Sequence, residues 1–273
     1  VDQVSDDLDL LIVGSGPKPA MLKQAEKRNA AGAGIQICDD VAQLLQHAVT
    51  PSVGNLTDPA TLAHLCSLPY FVWGHNRMLT YVGENFAGLV IDGGEKGCAA
   101  SFLEFQACDF SKAKIRNLAI LDLYSYYSRN AQPPIVQCNF DKATLDSVQL
   151  IRVASSTFDR AKLTKVNFGL LKSSTLTSAL LDGVDTDCIE QCTLQECNIK
   201  GWKLSSYHNH AVRDSEISNC KVSGMIAVRD EQCVIYKTRL RDVVITAADL
   251  ENLAFDDCLL ERVEVRDSTL GKL

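Results

Sequence analysis

The chain has 273 residues, 46% hydrophobic and 22% charged, with a formal net charge of −7, the composition of one large soluble domain or two modest ones. No apolar run approaches the roughly 20 residues that span a bilayer, and the acidic first ten residues lack the basic segment of a secretory signal, so a cytoplasmic chain away from membranes is expected. Residues 1–97 carry 11 acids and 6 bases while residues 98–273 carry 23 acids and 21 bases; the near-neutral second part argues against direct nucleic-acid binding and weakens the case for an acidic mimic of DNA.

In chain order, residues 1–50 read as strand, helix, strand, helix over Asp9–Val13, Ala20–Asn29, Gly34–Cys38 and Asp40–Ala48. Val4, Asp9, Gly14, Leu22, Ala25, Ile37, Asp39 and Leu44 stand where the second half of a BRCT domain expects them. The segment therefore resembles a partial BRCT-like α/β domain. The first strand and helix of that fold are missing, and the chain begins at Val1 rather than Met, as a fragment would. The rival reading is a dinucleotide-binding turn at LLIVGSGP with Asp39 ending the next strand. Pro19 replaces its third glycine, and too few residues follow to supply the other strands, so no cofactor is expected.

Residues 51–97 read as a cap and linker. Thr57-Asp58-Pro59 is a good helix start for a helix over about 60–67, and Tyr70–Trp73 and Met78–Val82 suit a hairpin around Gly74-His75-Asn76. Such a segment would cover the exposed first coil of the domain that follows.

Residues 98–273 are repetitive. Residues 138–227 divide into five blocks of 18. Stacked, these align Phe140, Phe158, Leu176, Leu194 and Val212 in one column and Leu145, Leu163, Leu181, Ile199 and Ile217 in another. Ala143, Ala161, Ala179, Cys197 and Ser215 form a column of small residues between them. Val153, Leu171, Ile189, Tyr207 and Met225 form a later column. Inward positions two apart share a face of a short strand, and each three-residue step turns a corner. The expectation is a four-sided β-helix with one shortened side. From Cys233 the five-residue step runs through Ile235, Leu240, Ile245, Leu250, Phe255, Leu260, Val265 and Leu270, which is two coils of 20. Residues 124–136 break the pattern and read as an external loop, since Pro133 and Pro134 cannot donate ladder hydrogen bonds. The rod should have about eight coils.

The segments ACDFS, KATLD, RAKLT, AADLE and DCLLE resemble the pentapeptide-repeat family. That resemblance implies a mainly β, right-handed quadrilateral β-helix over 98–273, and dimerisation through terminal coils. The C-terminal coil, with Leu260, Val263, Val265 and Leu270 as an apolar floor, is the expected homodimer contact or the seat of a further domain. The resemblance also permits a gyrase-protecting DNA mimic. Cys98, Cys108, Cys138, Cys192, Cys197, Cys220, Cys233 and Cys258 all fall on the small inward position, where a free thiol packs as a small hydrophobe, so reduced cysteines without metal are expected.

Candidate chemistry is thin. His208 and His210 flank Asn209 without a nearby third ligand, and His75 sits beside Trp73 in the expected hairpin. Asp182, Asp185, Asp187 and Glu190 form an acidic cluster that could attract a cation or a basic partner. No spacing argues for a catalytic, cofactor-binding or metal residue. The function expected is a non-catalytic protein-interaction scaffold binding another protein, within a DNA-associated assembly if residues 1–48 are BRCT-like. A DNA-mimicking topoisomerase protector is second, and a dinucleotide-binding enzyme fragment third.

Overall fold

In a computed structural model the described residues are 10–12, 27–30, 36–38, 56–58, 62, 79–100, 103–121, 133–205, 210–227 and 233–270. Two units are distinguished, residues 1–55 with 68–77, and residues 56–67 with 78–273. In the first, Leu10–Ile12 pairs in parallel with Gln36–Cys38, and residues 27–30 are helical. The remainder of the BRCT-like pattern, the LLIVGSGP turn beyond its strand, His75, His208 and the strand expected at Tyr70–Trp73 lie outside the described residues.

The second unit is a right-handed β-solenoid of about eight turns. Its described strands form parallel sheets of nine, 15 and five strands. Coils wind because most of the strands, two to six residues long, are followed by a residue in the left-handed region. Gln137, Lys142 and Ser147, at φ 56, 57 and 56°, turn three successive corners five residues apart. The strain at each is offset by a ladder bond to the next coil, such as Lys142 N–H to Asp159 O at 2.7 Å and Ser147 N–H to Thr164 O at 2.9 Å.

The core is a set of vertical columns. Ile91, Ile115, Leu145, Leu163, Leu181, Ile199, Val222, Ile245 and Val265 follow one another in register. Beside them the Phe86, Phe110, Phe140 and Phe158 rings stack nearly flat, at centroid separations of 4.6, 5.0 and 4.8 Å. Ring stacking at the coil spacing is why aromatics persist in this column.

Three features of the sequence reading change. The coils do not begin at residue 98: Leu79–Val82 pairs in parallel with Leu103–Gln106, and Val90–Asp92 with Lys114–Arg116, so Leu79–Val82 is a rung of the solenoid rather than part of a hairpin. The shortened side is a fusion of two sides. Gln149–Ala154, Asn167–Lys172 and Asp185–Glu190 are single six-residue strands with no left-handed residue inside them. Finally, the fifth 18-residue block is out of register. Leu194 pairs with Ile217, not Val212, and Ile199 with Val222, not Ile217, while Val212 pairs with Ile189 and Ile235. Coil steps are thus 18 residues from Phe140 to Leu194, 23 from Leu194 to Ile217 and from Ile217 to Leu240, and 20 to Leu260. The extra residues enter between Leu204, still 18 from Thr186, and Val212, 23 from Ile189. An insertion of five is one whole side, so it leaves the small and large positions in phase and hides the slip.

Candidate interaction surface

The small inward column beside the phenylalanines is a hydrogen-bonded seam. Ser156, Ser174, Ser215 and Thr238 donate their hydroxyls to the carbonyl two residues earlier, at 2.7 to 2.9 Å. Each in turn accepts a backbone N–H from the neighbouring coil: Cys138 N to Ser156 Oγ at 3.1 Å, Ser156 N to Ser174 Oγ at 3.1 Å, Cys192 N to Ser215 Oγ at 3.1 Å, and Ser215 N to Thr238 Oγ1 at 3.4 Å. Cys192 takes the same place, donating to Glu190 O at 3.2 Å and accepting from Ser174 N at 3.5 Å. The column therefore selects short side chains that both donate and accept: the corner leaves a buried N–H to satisfy, while the carbonyl that takes the hydroxyl also accepts a ladder N–H, as Lys172 O does from Ser155 N at 2.9 Å.

Cys108, Cys138, Cys192, Cys197, Cys220 and Cys233 are buried thiols outside any disulfide, and Cys258 is a half-buried one. Burial pushes the Cys192 thiol up to about 11. Cys98 departs from the reduced set: it is buried but disulfide-bonded. Cys188 is also free and half-buried, but it stands in the ladder beside Leu170 on the outer face, and burial pushes it up to about 11 as well. A thiol so far from its thiolate is a poor nucleophile at neutral pH.

The acidic cluster divides. Asp182 lies on the nine-stranded sheet, whereas Asp185, Asp187 and Glu190 share one strand of the fused side. Glu190 is only 8% exposed, and its carboxylate accepts from Lys172 Nζ at 3.0 Å and Arg213 Nη2 at 2.6 Å. Burial raises its pKa, but the hydrogen bonds from Arg213 and Lys172 outweigh that and hold it below the usual glutamate range. Asp185 lies 3.9 Å from Lys203. Burial raises Asp187, against a hydrogen bond from Ser205. The cluster is thus largely neutralised from within, and the described residues contain no group of three or more His, Cys, Asp or Glu side chains able to hold a metal ion. The 18-residue spacing of Lys172 and Glu190 was readable in the sequence; Arg213 was hidden by the five-residue slip.

His210 stacks on Tyr236 at 5.0 Å, with Lys237 Nζ 5.0 Å from the same ring, so this histidine belongs to an aromatic and cationic cluster. In the last coil, Leu260 and Val265 are 49% and 41% exposed.

Outward side chains also stand in columns. On the nine-stranded sheet one column runs Asp92, Arg116, Asp146, Thr164, Asp182, Lys200, Ser223, Thr246, Arg266. Its signs are mixed throughout, which is unlike a continuous acidic strip.

The ladders, the five-residue corners and the paired inward columns define a pentapeptide-repeat-type β-solenoid. No family model matches the sequence, and no curated protein does. Among solved structures the chain is similar to HetL, a pentapeptide repeat protein involved in heterocyst differentiation regulation from the cyanobacterium Nostoc sp. strain PCC 7120, at 11% identity over 71% of this chain and 91% of that one, with a TM-score of 0.34. It is also similar to full-length QnrB1, a plasmid-mediated fluoroquinolone resistance protein, at 14% identity over 68% and 93%, TM-score 0.22. A third is the pentapeptide repeat protein Rfr23 from the cyanobacterium Cyanothece 51142, at 12% identity over 70% and 90%, TM-score 0.16. At these values the likenesses carry no functional argument, and the class rests on the ladders.

Proposed function

We propose that the solenoid is a non-catalytic protein-interaction scaffold. The observation that carries this reading is the outward display: side chains of both signs held in register on parallel ladders, over sheets of nine, 15 and five strands. Fixed polar groups on a stiff support suit recognition of another protein surface, because little ordering entropy is lost on binding. A setting in a DNA-associated assembly is supported by the BRCT-like residues of 1–48, on sequence resemblance alone. The DNA-mimicking alternative needs one sign of charge along several coils, and the mixed column from Asp92 to Arg266 favours the scaffold over it. The dinucleotide reading draws no support from the solenoid.

The test is affinity capture with the intact chain after mild chemical cross-linking, followed by mass spectrometry and a binding measurement on the purified candidate. A partner that binds the intact chain at micromolar or tighter affinity supports the scaffold. Recovery of no protein that binds on repetition with pure components rejects it.

A further inference from the structure

Charge that balances over the whole rod does not balance over its faces. On the nine-stranded sheet and the corners flanking it, the rungs around residues 114, 144 and 162 present Lys112, Lys114, Arg116, Lys142, Lys162 and Lys165, all exposed. Lys114, Thr144 and Lys162 are vertical neighbours, as are Arg116, Asp146 and Thr164. Lys142 lies 3.8 Å from Asp141, and the adjacent Arg160 pairs with Asp159 at 2.7 Å. Lys112, Lys114, Arg116, Lys162 and Lys165 make no ion pair with a described residue. Asp146 is the one acid among the strand residues of these three rungs. Higher on the same sheet the excess disappears, where Asp182, Glu196 and Glu264 offset Lys200, Lys221 and Arg266.

The spacing bears on the partner. Side chains two apart on a rung are about 6.6 Å apart and rungs about 4.8 Å apart, so the strand part of the patch measures roughly 7 by 10 Å. An extended polypeptide carries alternate side chains at the same interval of about 6.6 Å, so carboxylates on every second residue can meet Lys114 and Arg116 in turn, with Lys112 on the corner before them. Thr144, Asp146 and Thr164 fill the other outward places, and none is an aromatic on which a base could stack.

We propose that this basic part of the nine-stranded face is a docking surface for an extended acidic segment of a partner protein. It deepens the scaffold reading by naming where the partner binds and what charge it carries.

The test uses the full chain and a fluorescein-labelled peptide of about twelve residues alternating Glu and Ser, followed by anisotropy at low and moderate salt. The variant Lys114→Glu/Arg116→Glu/Lys162→Glu should bind about tenfold or more weakly, while Lys200→Glu/Lys221→Glu on the upper rungs of the same sheet should change affinity less than about twofold. Circular dichroism melts should show all three proteins equally folded, since every changed side chain is exposed. Binding to the unaltered chain should also weaken with salt. No peptide binding, or equal loss in both variants, overturns the proposal. So does a short duplex DNA that binds more tightly than the peptide at the same salt, which would make this a nucleic-acid surface. A purified partner from the capture experiment that binds the triple variant undiminished overturns this surface and leaves the scaffold standing; absence of any partner rejects the scaffold, while the peptide measurement judges the surface by itself.

Discussion

Trp202 Nε1 donates a 3.0 Å hydrogen bond to Thr186 Oγ1 inside the solenoid, where both residues are 2% exposed. Thr186 occupies the column of Leu150, Phe168 and Leu204, so a threonine replaces a large apolar residue in the coil preceding the tryptophan. The smaller side chain leaves room for the indole and supplies its acceptor. Thr186→Val should remove that acceptor at nearly constant volume and lower unfolding free energy by about 1–3 kcal/mol, because a buried donor is left unsatisfied. Thr186→Ser should retain most of the stability. Urea denaturation of the three proteins decides it, and an unchanged midpoint in the valine variant would mean that the indole bond contributes nothing.

Leu163 is fully buried between Leu145 and Leu181. Leu163→Asp should cost about 3–5 kcal/mol through an unpaired buried charge. The neighbouring Thr164 faces outward between Asp146 and Asp182. A lysine there gains two opposite charges, so Thr164→Lys should stay within about 0.5 kcal/mol of the parent or exceed it. Thermal melts that fall equally for both substitutions would contradict the register.

Inward columns were legible where residue size alone decides them, as from Phe140 to Leu194 and from Leu145 to Ile199. The same five-residue logic concealed the slip after Leu204, because moving by one side replaces one small or large residue with another of its kind. Pairing across coils, not pattern, separates Ile217 from Val212 as the neighbour of Leu194. The fused strands escaped notice because spacing gives the number of residues on a side, whereas joining two sides depends on the backbone between Leu150 and Val153 remaining extended. Nor could spacing assign the basic patch: Lys114 and Lys162 are separated by 48 residues and become near neighbours only when the coils close.

Ser174 tests the hydrogen-bonded seam. Its hydroxyl donates to Lys172 O at 2.9 Å and accepts from Ser156 N at 3.1 Å. Ser174→Ala should cost about 1–3 kcal/mol because the buried Ser156 N–H loses its acceptor, whereas Lys172 O keeps the N–H of Ser155. Ser174→Cys should cost less than about 1 kcal/mol, since Cys192 performs the same two roles one coil on. Ser173→Ala, at the exposed corner, should be nearly silent. Alanine and cysteine variants of equal stability would reduce the seam to packing.

The thiols divide by count. Of the 11 cysteines, Cys98 is disulfide-bonded and eight others form no disulfide. Alkylation in denaturant without a reductant should therefore modify two fewer thiols than alkylation after reduction, as read by intact mass. Equal counts would show that Cys98 is a free thiol like its neighbours in the seam.

Glu190 links stability to pH. Its carboxyl, held between Lys172 and Arg213, titrates below the ordinary glutamate range in the folded chain. The unfolded chain binds this proton more readily, so the contribution is fully present above the unfolded value and is lost as pH falls through the lowered folded value. Glu190→Gln keeps the shape but not the charge, and it weakens the hold on Arg213, whose buried Nε has no hydrogen-bond partner among the described residues. At neutral pH the substitution should cost about 1–3 kcal/mol, less than a fully buried pair because Lys172 and Arg213 are partly exposed. The gap between parent and variant should then shrink as the buffer is taken from about pH 7 down through the lowered folded value, as the parent's carboxyl is neutralised. Urea unfolding at several pH values measures that gap directly, and a difference that stays constant or widens in acid would show that Glu190 is not held ionised by its two cations.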